Sequence, residues 1–318
     1  MNKPPLPHGR GSNRIAVIGA GAFGQNHVRV VRESDRAELA AVVDLDPSRG
    51  TLTDYRELAG RVDGAIVAAP TSVHEEITTF LLANGIDVLV EKPIAPDLAA
   101  ADRMIEAAEC YGRILQVGHL ERFNPAVMEI ERRATLPLFF EIHRMNQFSP
   151  RSLDVDVVLD LMVHDVDIVL GMATGEPEEI RAAGISILSP KVDIANVRLA
   201  FANGCVANLT ASRISTERVR KLRLFQPHQY LSLDYTRQDL AIFSVQDGRI
   251  GFEQAPVTKS EPLKLQFDAF LDSMASRSLP KSSGRAARRT LAVALAIIDK
   301  IREHAQVVSQ SLEAGWKL

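Results

Sequence analysis

Residues 14–24, RIAVIGAGAFG, run an apolar segment straight into Gly19, Gly21 and Gly24 at G-x-G-x-x-G spacing, and a helical stretch follows. The pattern predicts a buried strand, a tight turn and a helix start. The glycines allow the turn, the approach of a pyrophosphate and close helix packing, while N–H groups at the helix start, from Ala22 and Phe23 onward, face the anion. A glycine turn with no ligand is the competing reading, and the strand–turn–helix context weighs against it. In the next apolar run, AAVVDLD, the second strand is expected to end at Asp44, twenty positions after Gly24. A carboxylate there accepts both ribose hydroxyls and repels a 2′-phosphate, which favours NAD over NADP. Arg49 is the residue that would reverse this choice, and Asp46 reads as a turn residue before Pro47.

From Arg14 onward, short apolar runs alternate with helical stretches: RIAVIG, 22–33, ELAAVVD, GAIVAAP, 74–83, DVLVEKP, 96–111 and RILQVG. Strands separated by helices call for a doubly wound parallel sheet covered on both faces. After about Leu120 a long helical segment (154–172) leads into antiparallel-looking stretches within 178–188, 196–214 and 221–235, with Asn203-Gly204 as a hairpin turn. Helices return at 263–277 and 285–304. The expected organisation is a flexible tail (1–13), an NAD-binding Rossmann domain (14–121) and an α+β domain (122–318).

At 318 residues, 46% hydrophobic and 24% charged, the chain has the make-up of an ordinary globular protein of two domains. A net charge of −3 gives no positive field for nucleic acid or an anionic membrane. Cys110 and Cys205 have no metal-ligand spacing, so no metal is expected and a reduced, cytoplasmic setting fits. The start, MNKPPLPHGRGSN, lacks the apolar core of a signal peptide, and no later run reaches the length of a membrane span.

Ligands of open α/β sheets bind beyond the carboxyl ends of the strands. AAPTSVHEE and VEKPI therefore put Thr71, His74, Glu91 and Lys92 on the cofactor's side. A lysine ending a buried strand is costly to desolvate and can serve as a base; an ordinary exposed strand-end lysine is the equal alternative. In LDLMVHDVD, 159–167, Asp160, His164 and Asp167 stand at i, i+4 and i+7, within a ~60° arc on a helix. Leu159, Leu161, Met162, Val163, Val166, Ile168 and Val169 make the rest apolar, and Asp165 is expected to face solvent. A structural His–Asp pair and a substrate cavity explain that stripe equally well.

GAGAFGQNH, VAAPTSVHEE, VEKPI and LDLMVHDVD, in this order and at these separations, resemble the glucose-fructose oxidoreductase and inositol dehydrogenase (Gfo/Idh/MocA) family over nearly the whole chain from Arg14. The resemblance implies a Rossmann domain followed by an α+β domain built on a large open antiparallel sheet, whose face commonly joins subunits into a homo-oligomer, a dimer or tetramer. It also implies that Lys92, Asp160 and His164 surround the reacting carbon of a sugar or cyclitol, that Asp167 contacts substrate hydroxyls, and that Thr71 and Glu91 neighbour the cofactor. His74 also matches a family position, with a structural cap as its expected role. His164 is then the expected general base, held by Asp160, with Lys92 stabilising the oxyanion; the two can exchange roles.

GHLERFNPAV, DVDVVLDLMVHDVDIVL, ILSPKVDIANVRLAFANGCVANLTASRIS and YLSLDY are similar to a branch that includes UDP-N-acetylglucosamine 3-dehydrogenases. In that branch the sugar's 3-hydroxyl becomes a ketone, which an aminotransferase partner converts to an amine on the way to a diamino sugar for lipid A. A nucleotide-sugar substrate needs donors, and Arg122 and Asn124 are the first candidates, against a crossover segment whose polar groups satisfy backbone. GRAARR, 284–289, is read as a solvated helix face rather than a phosphate site. Arg213 lies on an expected strand and can face substrate, a subunit or solvent. Two further readings stand: a dehydrogenase of a free sugar or inositol, and a non-catalytic NAD-binding sensor or scaffold, against which the presence of Lys92, Asp160 and His164 together counts.

Overall fold

The computed structural model describes residues 12–148, 155–246 and 248–313. Its first sheet is five-stranded and parallel throughout, in the order β2-β1-β3-β4-β5. The strands are β1 (Asn13–Ile18), β2 (Ala37–Val43), β3 (Gly64–Val67), β4 (Asp87–Glu91) and β5 (Leu115–Gly118). Every residue of β3, β4 and β5 is buried, as strands covered on both faces require. The helices are α1 (Ala22–Glu33), α2 (His74–Ala83) and α3 (Leu98–Cys110), the last capped by Asp97, which accepts from Ala100 N–H at 2.8 Å. Strand order reverses at β1, with β2 on one side and β3 on the other, so the ligand-binding crevice belongs at the carboxyl ends of β1 and β3.

The second sheet has eight strands in the order β13-β12-β11-β10-β6-β9-β8-β7. It begins after α4 (Pro125–Arg133) with β6 (Phe139–Gln147), and α5 (Val163–Met172) follows, entered through a π-helical turn at Val158–Met162. Then come β7 (Pro177–Ile185), β8 (Ile194–Phe201), β9 (Val206–Ser215), β10 (Val219–Gln226), β11 (Gln229–Asp234), β12 (Asp239–Gln246) and β13 (Arg249–Gln254). All neighbours pair antiparallel except β6 and β9, whose connection supplies the long crossover a parallel pair needs. Gly204, at φ +83°, closes the β8–β9 hairpin where Asn203-Gly204 was expected to turn. The β12–β13 hairpin was not anticipated from sequence.

One face of this sheet packs its alternate residues (Phe140, Ile142, Val197, Leu199, Leu209, Leu222, Leu224) against α4, α5 and the long α7 in a single apolar core. The other face carries a row of aromatics across five adjacent strands: Phe139, Phe225, Tyr230, Phe243 and Phe252, with successive ring centroids 4.8–5.7 Å apart. Asp193 holds the β7–β8 loop by accepting from Ile187, Leu188 and Ser189 N–H and from the Ser189 hydroxyl. Burial alone would raise its pKa, but these donors bring it down to about 2.

The last elements are α6 (Pro262–Ser276) and α7 (Gly284–Glu313). The chain divides into two compact bodies: residues up to Gly118 with Leu263–Gly284, and His119–Pro262 with Arg285 onward. The 263–284 segment, expected in the second domain, thus lies with the first. There Gln116 Nε2 donates to Gln266 O (3.0 Å), Val117 N–H to Ser282 O (2.8 Å), and Arg277 forks Asp87 (2.5 and 3.0 Å). These partners are far apart in sequence, so no local pattern announces them. Among the described residues, no helix is long and apolar enough to cross a membrane.

Arg144, on the helix-facing side of β6, is 1% exposed. Its guanidinium donates to both Asp165 oxygens (2.8 and 2.7 Å) and to Glu121 Oε1 (2.8 Å), and lies 4.9 Å from the Tyr235 ring centre. Burial works against its charge, but Asp165 and Glu121 keep its pKa well above the ordinary arginine value. Arg144→Met leaves the buried Asp165 without its cation and Glu121 with only Arg220 at 3.9 Å, and is expected to cost about 3–5 kcal/mol. Urea unfolding followed by circular dichroism checks this; an unchanged midpoint would contradict it.

Candidate functional site

In the first body, the first backbone bond of α1 runs from Gln25 N–H to Gly21 O at 3.0 Å. The N–H groups of Ala22, Phe23 and Gly24 therefore precede the helix's own acceptors, and Gly21 provides no side-chain cap. A Cβ on Gly24 would stand 1.9 Å from Gly19 O, and one on Gly19, at φ +88°, 2.6 Å from Ala68 O. Turn, helix and β3 end are packed at backbone contact. A Cβ on Gly21 would meet nothing within 4 Å, so this glycine keeps open the approach to the N–H groups. Asp44, at the end of β2, accepts from Ala20 N–H (2.7 Å) and Asp46 N–H (2.9 Å), pinning the loop to the strand that would meet the ribose. Arg49, the residue able to reverse cofactor choice, is paired with Asp46 at 3.1 Å. The exposed helix start, the uncrowded Gly21 and the Asp44 carboxylate fit NAD.

Thr71 opens a short turn (Thr71–Val73) after β3 and is partly exposed. His74 is buried, with Nε2 2.9 Å from Ala69 O and Nδ1 3.1 and 3.2 Å from Pro93 O and Ile94 O. It clamps the loop after β3 to the loop after β4. Burial lowers its pKa against the pull of these carbonyls. Glu91 ends β4 with its carboxylate 2.8 Å from His27 Nε2, while Lys92 N–H donates to its other oxygen at 3.2 Å. Lys92 follows, partly buried, with a cis bond to Pro93.

In the second body, Leu159, Asp160 and His164 are the only residues of 157–170 that are not buried. Asp160 and His164 thus share an accessible face on an otherwise buried segment. Asp167 does not join them. It is 1% exposed and accepts from Arg122 Nε (2.6 Å), Arg122 Nη2 (3.1 Å) and the Thr290 hydroxyl (3.0 Å), with His119 Nδ1 at 3.8 Å. Asp165, expected at solvent, is instead 1% exposed in the grip of Arg144. The helical spacing that set Asp165 apart assumed a uniform helix and carried no information on the sheet packed against it. A π turn precedes His164, and an arginine stands among the buried residues of β6.

Asn124 caps α4, accepting from Ala126 N–H (3.1 Å) and donating to Tyr235 O (3.0 Å), so its groups satisfy backbone. Arg122, besides its Asp167 fork, donates to Asp167 O at 3.0 Å. Arg213 is buried and donates to Val155 O and Val192 O, facing none of the three environments considered for it. In the basic run, Arg289 pairs with Glu176 and donates to Leu170 O (3.1 Å) at the end of α5. Arg220, 3.9 Å from Glu121, is lowered to about 10 by burial and by Arg144 and Arg218. Sequence reading missed Arg144, Glu121, Thr290 and His27. For Arg144 a signal existed: a charge at the buried parity of FFEIHRMNQ.

A parallel sheet with an anion-ready glycine turn and a carboxylate at the end of β2 defines a dinucleotide-binding domain. Residues 13–119 match the oxidoreductase family with an NAD-binding Rossmann fold, Gfo/Idh/MocA, and residues 128–226 match the Gfo/Idh/MocA C-terminal domain. The chain belongs to this family and is an NAD-dependent dehydrogenase acting on a CH–OH group. It is 32% identical over 299 residues to a UDP-N-acetylglucosamine 3-dehydrogenase from Acidithiobacillus ferrooxidans, covering 89% of this chain and 96% of that one. A solved structure of that enzyme superposes with a TM-score of 0.87 at 31% identity, over 91% of this chain and 98% of the other. An inositol 2-dehydrogenase from Acidothermus cellulolyticus is 33% identical over 192 residues, 54% of this chain and 56% of that one.

Gly21→Ala adds a methyl group that touches nothing in the protein, so it should leave the NAD-free melting temperature nearly unchanged while weakening NAD binding at least about tenfold, ~1.4 kcal/mol. Gly24→Ala should lower both, because its methyl group collides with Gly19 O. Thermal shift with and without NAD⁺ distinguishes the two. Full NAD affinity in Gly21→Ala would refute the assignment.

Proposed function

We propose that this enzyme oxidises the 3-hydroxyl of UDP-N-acetylglucosamine to a ketone, with Lys92, His164 and Asp160 as its catalytic residues. The observation that carries the reading is the extent of the likeness: the 3-dehydrogenase aligns over 96% of its length, whereas the inositol 2-dehydrogenase aligns over 56%. The likeness to the 3-dehydrogenase covers 89% of this chain and so extends through both bodies, whereas the likeness to the inositol 2-dehydrogenase covers 54%. Dehydrogenation of a free inositol or sugar is the second reading, favoured by the inositol 2-dehydrogenase match.

The chemistry that bound NAD⁺ supplies is acceptance of the hydride from the carbinol carbon. The protein must take the hydroxyl proton and stabilise the alkoxide as it forms. His164, on the accessible face of a helix start, accepts the proton, and Asp160 from the same face orients the ring. The Lys92 ammonium hydrogen-bonds the oxygen and stabilises its developing charge. Ala22, Phe23 and Gly24 N–H would hold the pyrophosphate and Asp44 the ribose, with Thr71 as a further residue on the cofactor's side. Arg122, Asn124 and Asp167 act beneath the substrate rather than on it, since their polar groups are engaged with one another and with backbone.

An aminotransferase acting on the ketone is the proposed partner, on the way to a diamino sugar for lipid A, with the cytoplasm as the setting. The proposed assembly is a homo-oligomer formed through the open sheet face, where Phe243 and Phe252 remain 38% and 64% exposed at the end of the aromatic row. The double change Phe243→Lys with Phe252→Lys should therefore give a monomer by light scattering; an unaltered mass would remove this face from the assembly.

Formation of NADH, followed by absorbance with UDP-N-acetylglucosamine or myo-inositol and by mass for the keto product, tests the substrate. Lys92→Met should reduce turnover by at least about 10²-fold while leaving NAD binding intact. Equal turnover in the variant and the wild type would end the catalytic assignment, and oxidation of myo-inositol alone would end the nucleotide-sugar one.

A further inference from the structure

His27 lies on α1, the helix whose start faces the cofactor, and is 1% exposed. Its Nε2 meets Glu91 Oε1 at 2.8 Å, and its Nδ1 has no hydrogen-bond partner among the described residues. In this contact the ring N–H at Nε2 donates and the carboxylate oxygen accepts. The polar contact of the imidazole among the described residues is with Glu91. On the other side, Glu91 Oε2 accepts the backbone N–H of Lys92 at 3.2 Å. A buried polar pair has an apolar alternative that packs as well, so its presence calls for a specific use.

Two neighbours sharpen that use. The His27 ring meets Phe23 edge-to-face at 5.4 Å, and Phe23 stands in the glycine turn, 43% exposed. Gly118 ends β5 against the Glu91 carboxylate; a Cβ there would lie 2.6 Å from Oε2 and 2.7 Å from Oε1. The absence of a side chain at position 118 therefore leaves the space that Glu91 occupies. A continuous line of contacts runs from the glycine turn through Phe23, His27 and Glu91 to the backbone of Lys92, all within one compact body.

We infer that His27 is a positioning residue: through Glu91 it ties the strand end bearing Lys92 to the helix that seats the cofactor, so that filling the nucleotide site fixes where the Lys92 ammonium points. This rests on the reading of Lys92 as a catalytic residue. In the absence of the tie, NAD still binds at the start of α1, but Lys92 samples other orientations.

Trace acylation of Lys92 with acetic anhydride, read by peptide mass spectrometry with and without NAD⁺, tests the inference without any sugar substrate. With NAD⁺ at about ten times its Kd, Lys92 in the wild type should be labelled about tenfold less. In His27→Leu, at the same multiple of its own Kd, the ratio should fall toward one, while His27→Gln, which keeps an N–H donor at similar reach, should restore it. Gly118→Ala should reproduce the His27→Leu result with both polar residues intact, by displacing the Glu91 carboxylate, and it carries the test if His27→Leu does not fold. With a turned-over sugar, both variants should lose kcat by about ten- to a hundredfold at little changed KM. Wild-type labelling ratios in His27→Leu and Gly118→Ala would overturn the inference. Loss of the ratio together with no turnover of any sugar nucleotide by the wild type would overturn the substrate reading and leave this one standing.

Discussion

Two arginine forks, on Asp165 and Asp167 just after His164 in the sequence, fix the helix on which the proposed chemistry rests. Arg144 from β6 grips Asp165, and Arg122 from the turn before α4 grips Asp167, each through two N–H groups. Asp165 and Asp167 point to different sides of α5, so the helix can neither roll nor slide without breaking a charge-assisted pair in a dry interior. An apolar helix of valines and isoleucines alone would pack in several rotations at nearly equal free energy. The ion pairs choose one, and in that rotation His164 reaches the surface.

The nucleotide-binding body achieves the same definition by different means. Its turn is fixed by backbone against backbone, with no room for a methyl group at Gly24 and a carboxylate from β2 holding Ala20 N–H. Close contact makes the anion-binding N–H groups rigid before any ligand arrives, which lowers the ordering cost of binding. His74 extends the rigidity by clamping the loops after β3 and β4 together.

Much of this was legible in the chain because it is local. The glycine turn, Asp44 and the alternating strand–helix pattern follow from neighbours in sequence, and 22–33 and 74–83 form helices where periodicity placed them. Asp160 and His164, four residues apart, share the accessible face of the buried 157–170 segment. What was not legible depends on distant partners. Asp165 was expected at solvent because it falls off the stripe of Asp160, His164 and Asp167; its partner is Arg144, 21 residues earlier on another element. The 263–284 segment reads as a generic helix, and only Asp87, Gln116 and Val117 assign it to the nucleotide-binding body. Asp167 looked like part of an active-site stripe because sequence spacing cannot distinguish a carboxylate awaiting a substrate from one already held by an arginine.

The central claim is that a hydride leaves one particular carbon of a nucleotide sugar. Incubation with NAD⁺ and UDP-N-acetylglucosamine carrying deuterium at C3, followed by mass analysis of the recovered cofactor, tests it most directly. The account predicts reduced cofactor heavier by one deuterium and a ketone that has lost its label. Unlabelled NADH, or cofactor that stays oxidised with this sugar while being reduced by an inositol, would contradict it.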